Sequence, residues 1–356
     1  MTEDNFTNYN NYKNYDDYED CEDYDDYDDY DDYEEKIYPW VEKYRPYNLK
    51  DIKSHEQIIA TLYNFIKNRD LPHLLFYGPA GTGKTSTIMS CANELYGSTI
   101  DMMVLKINVS EERGIEIVRN KILQFVQKKS FLFAENNKLF KLIILDEADA
   151  MTPDAQAILR RIIEKYTVNA RFCLICNYIK KINLALQSRC TIFRFNPIPE
   201  EIIRNKLIDI ANNEKIEITN KAINSIIDKT NGDFRKVINI LQTCSMISKK
   251  ITENIINKTL GFPKAEEIKI IYESLLNDNF EQSYKILNEI KSSEGYSLLD
   301  IIKIIFKKII VSAEEKTLDY TIYSQIIKKM AIIEYNLINN TNENIQLTSF
   351  IGIFKN

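Results

Sequence analysis

The sequence lacks any apolar run long enough to cross a membrane, and its first residues are polar. A membrane-spanning helix needs about 20 consecutive apolar residues, and a secretory signal needs an apolar stretch near the N-terminus. We therefore expect a chain that has no membrane partner and is not secreted. With 356 residues, of which 44% are hydrophobic and 28% charged, the composition is that of an ordinary globular protein with two or three domains.

The sequence also lacks a cysteine framework and a histidine cluster. Its six cysteines are scattered, which favours reduced thiols in an intracellular protein. Cys173 and Cys176 have the C-x-x-C spacing, but their segment "ARFCLICN" has the pattern of a strand. Residues three apart on a strand face opposite sides and cannot hold one metal ion, so core packing is the favoured interpretation.

Acidic side chains are concentrated at the N-terminus. Residues 1–36 hold sixteen acidic residues and two lysines, a net charge of −14, whereas the remainder holds 44 basic and 36 acidic residues, a net charge of +8. Such an acidic segment predicts a disordered tail. A dispensable extension is the favoured interpretation, and the alternative is that its carboxylates and tyrosines imitate a nucleic-acid strand. The mildly basic remainder is compatible with nucleic acid, but a solvated surface explains such charge more often.

Short apolar runs alternate with helical patterns between residues 37 and 196. The runs are "HLLFY", "MVLKINV", "KLIILD", "RFCLICN" and "TIFRF". This alternation predicts an α/β domain, with a parallel sheet covered by helices on both faces. Residues 197–256 have the pattern of a small helical domain, and residues 257–356 that of a separate helical bundle.

The segment "GPAGTGKT" matches the phosphate-loop pattern G-x-x-x-x-G-K-[ST] in full and lies between a strand pattern and a helix pattern. Glycines let backbone N–H groups close around phosphate at a helix N-terminus. We expect Lys84 to reach the β and γ phosphates and the Thr85 hydroxyl to ligate Mg²⁺. The residues expected to bind ATP here are Gly78, Pro79, Ala80, Gly81, Thr82, Gly83, Lys84, Thr85 and Ser86.

Four further polar residues are expected to join this loop. "KLIILDEADAM" places Asp146 and Glu147 at the end of an apolar strand, where Asp146 would hold Mg²⁺ and Glu147 would polarise the attacking water. Asn177 ends another strand and is either a donor to the γ-phosphate or an ordinary turn residue. Arg235, in "NGDFRKV", is either a residue that folds over the nucleotide or a surface arginine.

The order of several motifs resembles that of a known family. "PWVEKYRP", "GPAGTGKTS", "LDEADAM", "LICN", "LQSRC" and "GDFR" occur as in the small subunits of replication factor C, the eukaryotic clamp loader. The resemblance covers about residues 38–356. It implies an AAA+ fold with a helical lid at 197–256 and a helical collar at 257–356 that joins the chain to four other subunits. It also implies an ATPase that uses ATP and Mg²⁺ to load the sliding clamp, proliferating cell nuclear antigen, onto primer–template DNA in nuclear replication and repair.

The resemblance assigns roles to residues around the nucleotide. Val41 and Arg45 would line the adenine pocket, Asn177 would be the first sensor and Arg235 the second. Asn108 would be a switch that restrains the catalytic glutamate until DNA binds.

The resemblance also assigns residues to partners. Arg189, in the Ser-Arg-Cys triplet, would complete the ATP site of the neighbouring subunit; the alternative is an arginine that is satisfied inside its own chain. Arg119 and then Arg113 would contact DNA phosphates, which carry no sequence information. The residues expected to contact the clamp, for which core packing is the alternative, are Phe131, Leu132 and Phe133.

Two other classes of function, a helicase and a structural subunit, are alternatives to the clamp-loader interpretation. The tetrapeptide "DEAD" is typical of RNA helicases, but these need a second RecA-like domain, and the chain is helical in pattern after residue 200. A helicase-like AAA+ ring remains a weaker alternative. A structural subunit that binds ATP without turnover is another, although Lys84, Asp146 and Glu147 are all present.

Overall fold

The computed structural model describes residues 38–111, 115–128, 140–314, 320–339 and 341–355. The predicted N-terminal tail, Arg113 and the predicted clamp-contacting residues Phe131, Leu132 and Phe133 lie outside the described residues. No helix in the described ranges is both long enough and apolar enough to cross a membrane.

The described part of the chain contains a sheet of five parallel strands. They are β1 (Leu74–Tyr77), β2 (Val104–Asn108), β3 (Lys141–Asp146), β4 (Ala170–Cys176) and β5 (Thr191–Arg194), in the order β2-β3-β4-β1-β5. The central strands are almost wholly buried, because helices cover both faces, and this explains their nearly continuous apolar sequences. Since β3, β4 and β1 are neighbours, the segments that follow them meet at one edge of the sheet.

Helices pack on both faces of this sheet. They are α2 (Glu56–Lys67), α3 (Lys84–Tyr96), α4 (Ile100–Met103), α5 (Ile115–Gln127), α6 (Pro153–Tyr166) and α7 (Leu184–Gln187). One apolar core joins Leu75 and Ile143 to the α5 and α6 face, and another joins Phe76 and Ile144 to α2 and α3. Cys173 belongs to the second core and Cys176 to the first, as expected for residues three apart on one strand.

A second group of helices follows Pro199 and has its own core. It comprises α8 (Glu200–Asn213), α9 (Asn220–Thr230), α10 (Phe234–Ile247) and α11 (Glu253–Leu260), with a two-stranded parallel pair, β6 (Glu217–Ile218) and β7 (Lys250–Ile251). Thr219 and Asp233 cap the N-termini of α9 and α10 through their side chains. The short N-terminal helix α1 (Trp40–Lys43) packs against this core.

The remaining helices form a third group. They are α12 (Ala265–Asn277), α13 (Phe280–Glu294), α14 (Leu298–Glu314), α15 (Tyr320–Ile338) and α16 (Glu343–Ile353), and they enclose a core rich in isoleucine. Their apolar residues recur at spacings of three and four, so each helix buries one stripe. The predicted bundle is therefore helical in the structure.

Candidate functional site

The loop between β1 and α3 requires glycine at two positions. Gly78 and Gly81 have φ values of 148° and 69°, which residues with a Cβ rarely adopt. A Cβ at Gly78 would lie 2.0 Å from the carbonyl oxygen of Phe195, and one at Gly81 would lie 1.8 Å from Oδ1 of Asp233. The loop is therefore closely packed on both sides. It leads into the N-terminus of α3, whose first N–H groups have no partner within the helix and suit a phosphate.

Lys84 is the first residue of α3 and is only 7% exposed. Its Nζ donates to the carbonyl oxygens of Gly78 and Pro79, each at 2.7 Å, and to Oδ1 of Asn177 at 3.1 Å. Burial lowers the pKa of Lys84, and the nearby Asp146 carboxylate opposes this effect. The side chains predicted to bind phosphate and to act as first sensor are thus in direct contact.

Thr85 and Asp146 bring two oxygen atoms together beside the loop. The Thr85 hydroxyl donates to Oδ2 of Asp146 at 2.8 Å, and the Glu147 N–H donates to Oδ1 of Asp146 at 3.1 Å. No group of three or more His, Cys, Asp or Glu side chains occurs in the described ranges that could hold a metal ion by itself. One carboxylate and one hydroxyl suit Mg²⁺, which keeps waters and substrate phosphate oxygens as its other ligands. The donor set therefore fits the predicted ion.

The second group of helices contacts the phosphate loop directly. The backbone N–H of Phe234 donates to the carbonyl oxygen of Gly81 at 3.1 Å. Asp233 caps α10 by accepting from the N–H groups of Arg235 and Lys236. Because α10 begins at the loop, Arg235 is brought to the nucleotide site rather than left on a distant surface.

These parts enclose a cavity of about 790 Å³, a size typical of ligand sites. Its walls come from α1 and the residues after it, the phosphate loop, the ends of β3 and β4, and helices α8 and α10. Gly78 and Pro79 are not among the described residues that line it; their carbonyl groups accept from Lys84. The predicted nucleotide-site residues that line the cavity are Val41, Arg45, Ala80, Gly81, Thr82, Gly83, Lys84, Thr85, Ser86, Asp146, Glu147, Asn177 and Arg235.

Asn108 lies at the end of β2, opposite Asp146 in the register of β2 and β3. Its amide donates to Oε1 of Glu111 at 2.6 Å, and its Oδ1 accepts from the N–H and hydroxyl of Ser110. The residue is thus one strand away from Glu147, but it is bonded to its own loop. Its action on Glu147 stays a prediction.

Arg189 lies between α7 and β5, and it is absent from the described residues that line the cavity. Its Nη2 is 2.6 Å from Oε1 of Glu164, and its Nη1 donates to the carbonyl oxygen of Ala185 at 2.6 Å. The side chain is 37% exposed, and nearby Leu184 is 77% exposed. Arg189 is therefore paired within its own chain and still accessible from outside.

Arg119, the first predicted DNA contact, is an exposed residue of α5. This helix follows β2 and belongs to the same domain as the phosphate loop. The DNA contact itself stays a prediction.

Several residues around the cavity carried no assignment from the sequence. His55 has a left-handed backbone at the start of α2, and its ring lies 4.9 Å from the ring of Phe195. Glu214 accepts from Tyr44 across 170 positions of sequence. Asp233 alone had a local signal, since an aspartate before a helical pattern is a typical N-cap.

Three family models match successive segments of the chain. The family described as "ATPase family associated with various cellular activities (AAA)" matches residues 74–198. The "RFC1-like, AAA+ ATPase lid domain" matches residues 200–257, and the "Replication factor C C-terminal domain" matches residues 263–352. The chain thus has an AAA domain with a parallel sheet, a lid domain and a helical C-terminal domain, which confirms the predicted fold class.

Named relatives extend over most of the chain. A probable replication factor C subunit 5 of Dictyostelium discoideum is 46% identical over 89% of this chain and 90% of its own length. Replication factor C subunit 5 of Homo sapiens is 44% identical over 89% and 91%. Replication factor C subunit 3 of Saccharomyces cerevisiae is 41% identical over 89% and 93%. The chain belongs to the replication factor C small subunits, and it is an AAA+ ATPase subunit of a multi-subunit clamp loader.

Proposed function

We propose that this subunit uses ATP and Mg²⁺ to help load the sliding clamp, proliferating cell nuclear antigen, onto primer–template DNA. The proposal includes four further subunits as partners, the nucleus as location, and replication and repair as context. The observation that carries it is the cavity in which Lys84 from the start of α3, Asp146 from the end of β3 and Asn177 from the segment after β4 meet Arg235 from the lid. We also propose the domain limits 37–196, 197–256 and 257–356, supported by the separate apolar cores.

Each of five cavity residues has a separate proposed role in phosphoryl transfer. Lys84 binds phosphate oxygens once the loop carbonyls release its ammonium group. Thr85 and Asp146 would hold Mg²⁺, which would supply positive charge to neutralise the phosphates. Glu147 accepts a hydrogen bond from the attacking water and Asn177 orients it. These are positioning and electrostatic tasks, which dominate catalysis of this reaction class.

Arg189 is proposed to act on the ATP of the neighbouring subunit. Its accessibility and its place outside the cavity of its own chain support this role. An arginine delivered across an interface offsets charge that develops on the transferring group, and such residues contribute ~10³-fold or more. Glu164 holds the guanidinium in one orientation until the interface forms.

Other proposed roles concern regulation and DNA. Arg235 couples nucleotide occupancy to lid closure, and Asn108 restrains Glu147 until DNA binds. Arg119 and Arg113 contact DNA phosphates. The proposed clamp contacts, which rest on the family resemblance, are Phe131, Leu132 and Phe133.

The test is the ATPase activity of the reconstituted clamp loader, with clamp and primed DNA, comparing wild type with Arg189→Ala. We expect turnover to fall while this subunit still binds ATP, because the arginine serves another site. Arg160→Ala is the matched control, since Arg160 is also paired with Glu164, at 3.5 Å, but is not part of the Ser-Arg-Cys triplet.

Unchanged turnover in Arg189→Ala would show that the trans assignment is wrong. Failure of the wild-type chain to assemble with other subunits would contradict the clamp-loader role itself. Glu147→Gln in the same complex tests turnover at this subunit's own site, and unchanged total ATPase would favour a subunit that binds ATP without hydrolysing it.

A further inference from the structure

Residues 40–49, which we name the N-terminal strap, are bonded to two different domains. Residues Trp40–Tyr44 are attached to the lid, and residues 46–49 are attached to α3 of the nucleotide domain. The strap therefore crosses from one wall of the cavity to the other.

The attachment to the lid centres on Glu214, the residue that follows α8. Its Oε1 accepts from the Tyr44 hydroxyl at 2.5 Å and lies 2.7 Å from Nζ of Lys43. The Trp40 N–H donates to Oε1 of Gln242 on α10 at 3.1 Å. The side chains of Trp40, Val41 and Tyr44 pack against the apolar core of the lid. This half of the strap is thus part of the lid.

The attachment to the nucleotide domain involves three residues of α3. Ser90 Oγ donates to the carbonyl oxygen of Pro46 and Asn93 Nδ2 to that of Tyr47, each at 3.0 Å. The Leu49 N–H donates to Oε1 of Glu94, also at 3.0 Å. Because α3 begins in the phosphate loop, this half of the strap is fixed to the element that holds the phosphates.

The middle of the strap lines the cavity. Val41, Tyr44, Arg45 and Pro46 are all cavity residues. Arg45 bonds Glu42 through Nη1, but its buried Nε has no hydrogen-bond partner in the described structure. A buried N–H without a partner is costly, so this group is available to a ligand in the cavity.

The hydrogen bond from the Tyr44 hydroxyl to the Glu214 carboxylate is of the charge-assisted kind. Burial opposes ionisation of Glu214, but hydrogen bonds from Lys43 and Tyr44 outweigh burial and lower its pKa. Burial and the same carboxylate raise the pKa of Tyr44, so its hydroxyl stays protonated and donates. Hydrogen bonds to an ionised acceptor are shorter and stronger than those between neutral groups.

We propose that Glu214 is a positioning residue for the nucleotide site: by holding Tyr44 and Lys43 it makes the strap move with the lid. Lid closure and formation of the strap wall of the cavity are then one event. A lid that loses this anchor can still close on the phosphate loop through Phe234, but it no longer brings the strap with it. The inference rests on the proposed binding of ATP in this cavity.

The test uses Tyr44→Phe in the full-length chain, which removes one hydroxyl and keeps the ring. We expect ATP affinity, measured by calorimetry, to fall about tenfold. In the variant the strap is no longer held in place before nucleotide binds, so part of the binding free energy is used to order it. Amide exchange should show ATP-dependent protection of the phosphate loop but reduced protection of residues 40–45. Combining Tyr44→Phe with Glu214→Gln should cost less than the sum of the two single changes.

The chain contains a matched control in its C-terminal domain. The Tyr296 hydroxyl donates to Oε2 of Glu267 at 2.8 Å, and Lys264 Nζ is 3.1 Å from the same carboxylate. Tyr296→Phe therefore removes an equivalent bond away from the nucleotide. We expect wild-type ATP affinity in this variant.

Three results would overturn the inference. They are wild-type affinity and strap protection in Tyr44→Phe, an equal loss in Tyr296→Phe, or additive effects of Tyr44→Phe and Glu214→Gln. Failure of the proposed ATP site is distinguishable, because then Lys84→Ala would bind ATP as well as the wild type.

Discussion

Gly81 is the residue at which the phosphate loop and the lid meet. Its backbone has φ = 69°, and a Cβ there would collide with Asp233, the N-cap of α10. A left-handed backbone alone costs a residue such as alanine about 1–2 kcal/mol. We expect Gly81→Ala to lower the free energy of unfolding by more than this and to weaken ATP binding, because the cap must shift.

Gly83→Ala is the control for this prediction. Gly83 also has a positive φ, 92°, but a Cβ there would have no atom within 4 Å. Urea unfolding of both variants separates backbone strain from collision. Equal losses of unfolding free energy in the two variants would show that contact between the loop and Asp233 does not contribute to stability.

His73 is a buried histidine directly before β1. Its Nδ1 accepts from the Phe172 N–H at 3.2 Å, and its Nε2 is 3.3 Å from the Thr167 hydroxyl. Burial, assisted by the charge of Arg171, lowers the pKa of His73 to about 4. As the pH falls, the unfolded chain therefore binds a proton at His73 at a higher pH than the folded chain does. The stability that depends on neutral His73 is full above about pH 6.5 and is lost as the pH falls toward 4.

The loss attributable to His73 should reach roughly 2–3 kcal/mol at pH 4.5, at about 1.4 kcal/mol for each unit of pKa difference. His73→Asn keeps an acceptor for Phe172 and cannot take up a proton. We expect the free energy of unfolding to fall less steeply between pH 7 and 4.5 in this variant than in the wild type. Parallel pH profiles for the two proteins would contradict the assignment.

At the scale of elements, the strands were predictable because each is a short apolar run with polar residues at its end. Asp146 was assigned to the phosphate site from its strand end and the nearby phosphate-loop motif, and Asn177 from its strand end and the family resemblance. The structure brings Asp146 to Thr85 and Asn177 to Lys84. The attachment of α1 to the lid was not predictable. It depends on Tyr44 and Glu214, which are 170 residues apart. No local sequence pattern around either residue predicts that the two are partners.

The end of α5 depends on a residue from the sheet. Lys141, the first residue of β3, is 2% exposed. Its Nζ donates to the carbonyl oxygens of Phe125 at 2.7 Å and Lys128 at 2.5 Å, which lie in the last turn of α5 and directly after it. These are carbonyl groups that a helix C-terminus leaves without partners.

Lys141→Met should lower the free energy of unfolding by about 1–3 kcal/mol, because two partly buried carbonyl groups lose their donor. Amide exchange should accelerate in the last turn of α5. Lys165→Met, at an exposed position near the end of α6, should cost less than about 0.5 kcal/mol. A similar cost for both changes would mean that the cap does not stabilise α5.

At the scale of the whole molecule, charge is divided along the chain. Residues 1–36 carry −14 and the remainder +8, so the tail reverses the sign of the net charge. We expect deletion of residues 1–35 to raise affinity for primed DNA at low salt. The remaining chain has a net positive charge, which attracts the negatively charged DNA.

The salt dependence checks this prediction. Fluorescence anisotropy of labelled DNA should show a difference between the two chains at about 0.05 M salt that vanishes near 0.5 M, where the Debye length is only about 4 Å. Equal affinity at low salt would identify the tail as a dispensable extension for DNA binding.

The separation of Arg189 from the cavity of its own chain has a geometric consequence. With the proposed trans role, each subunit offers an arginine on one face and receives one at another, so the contact is heterologous. A two-fold dimer, in which identical patches meet, would bring arginine to arginine and complete neither site. Assembly is therefore head-to-tail and has a direction. In an assembly that does not close into a ring, the subunit at one end has an arginine that reaches no neighbouring nucleotide.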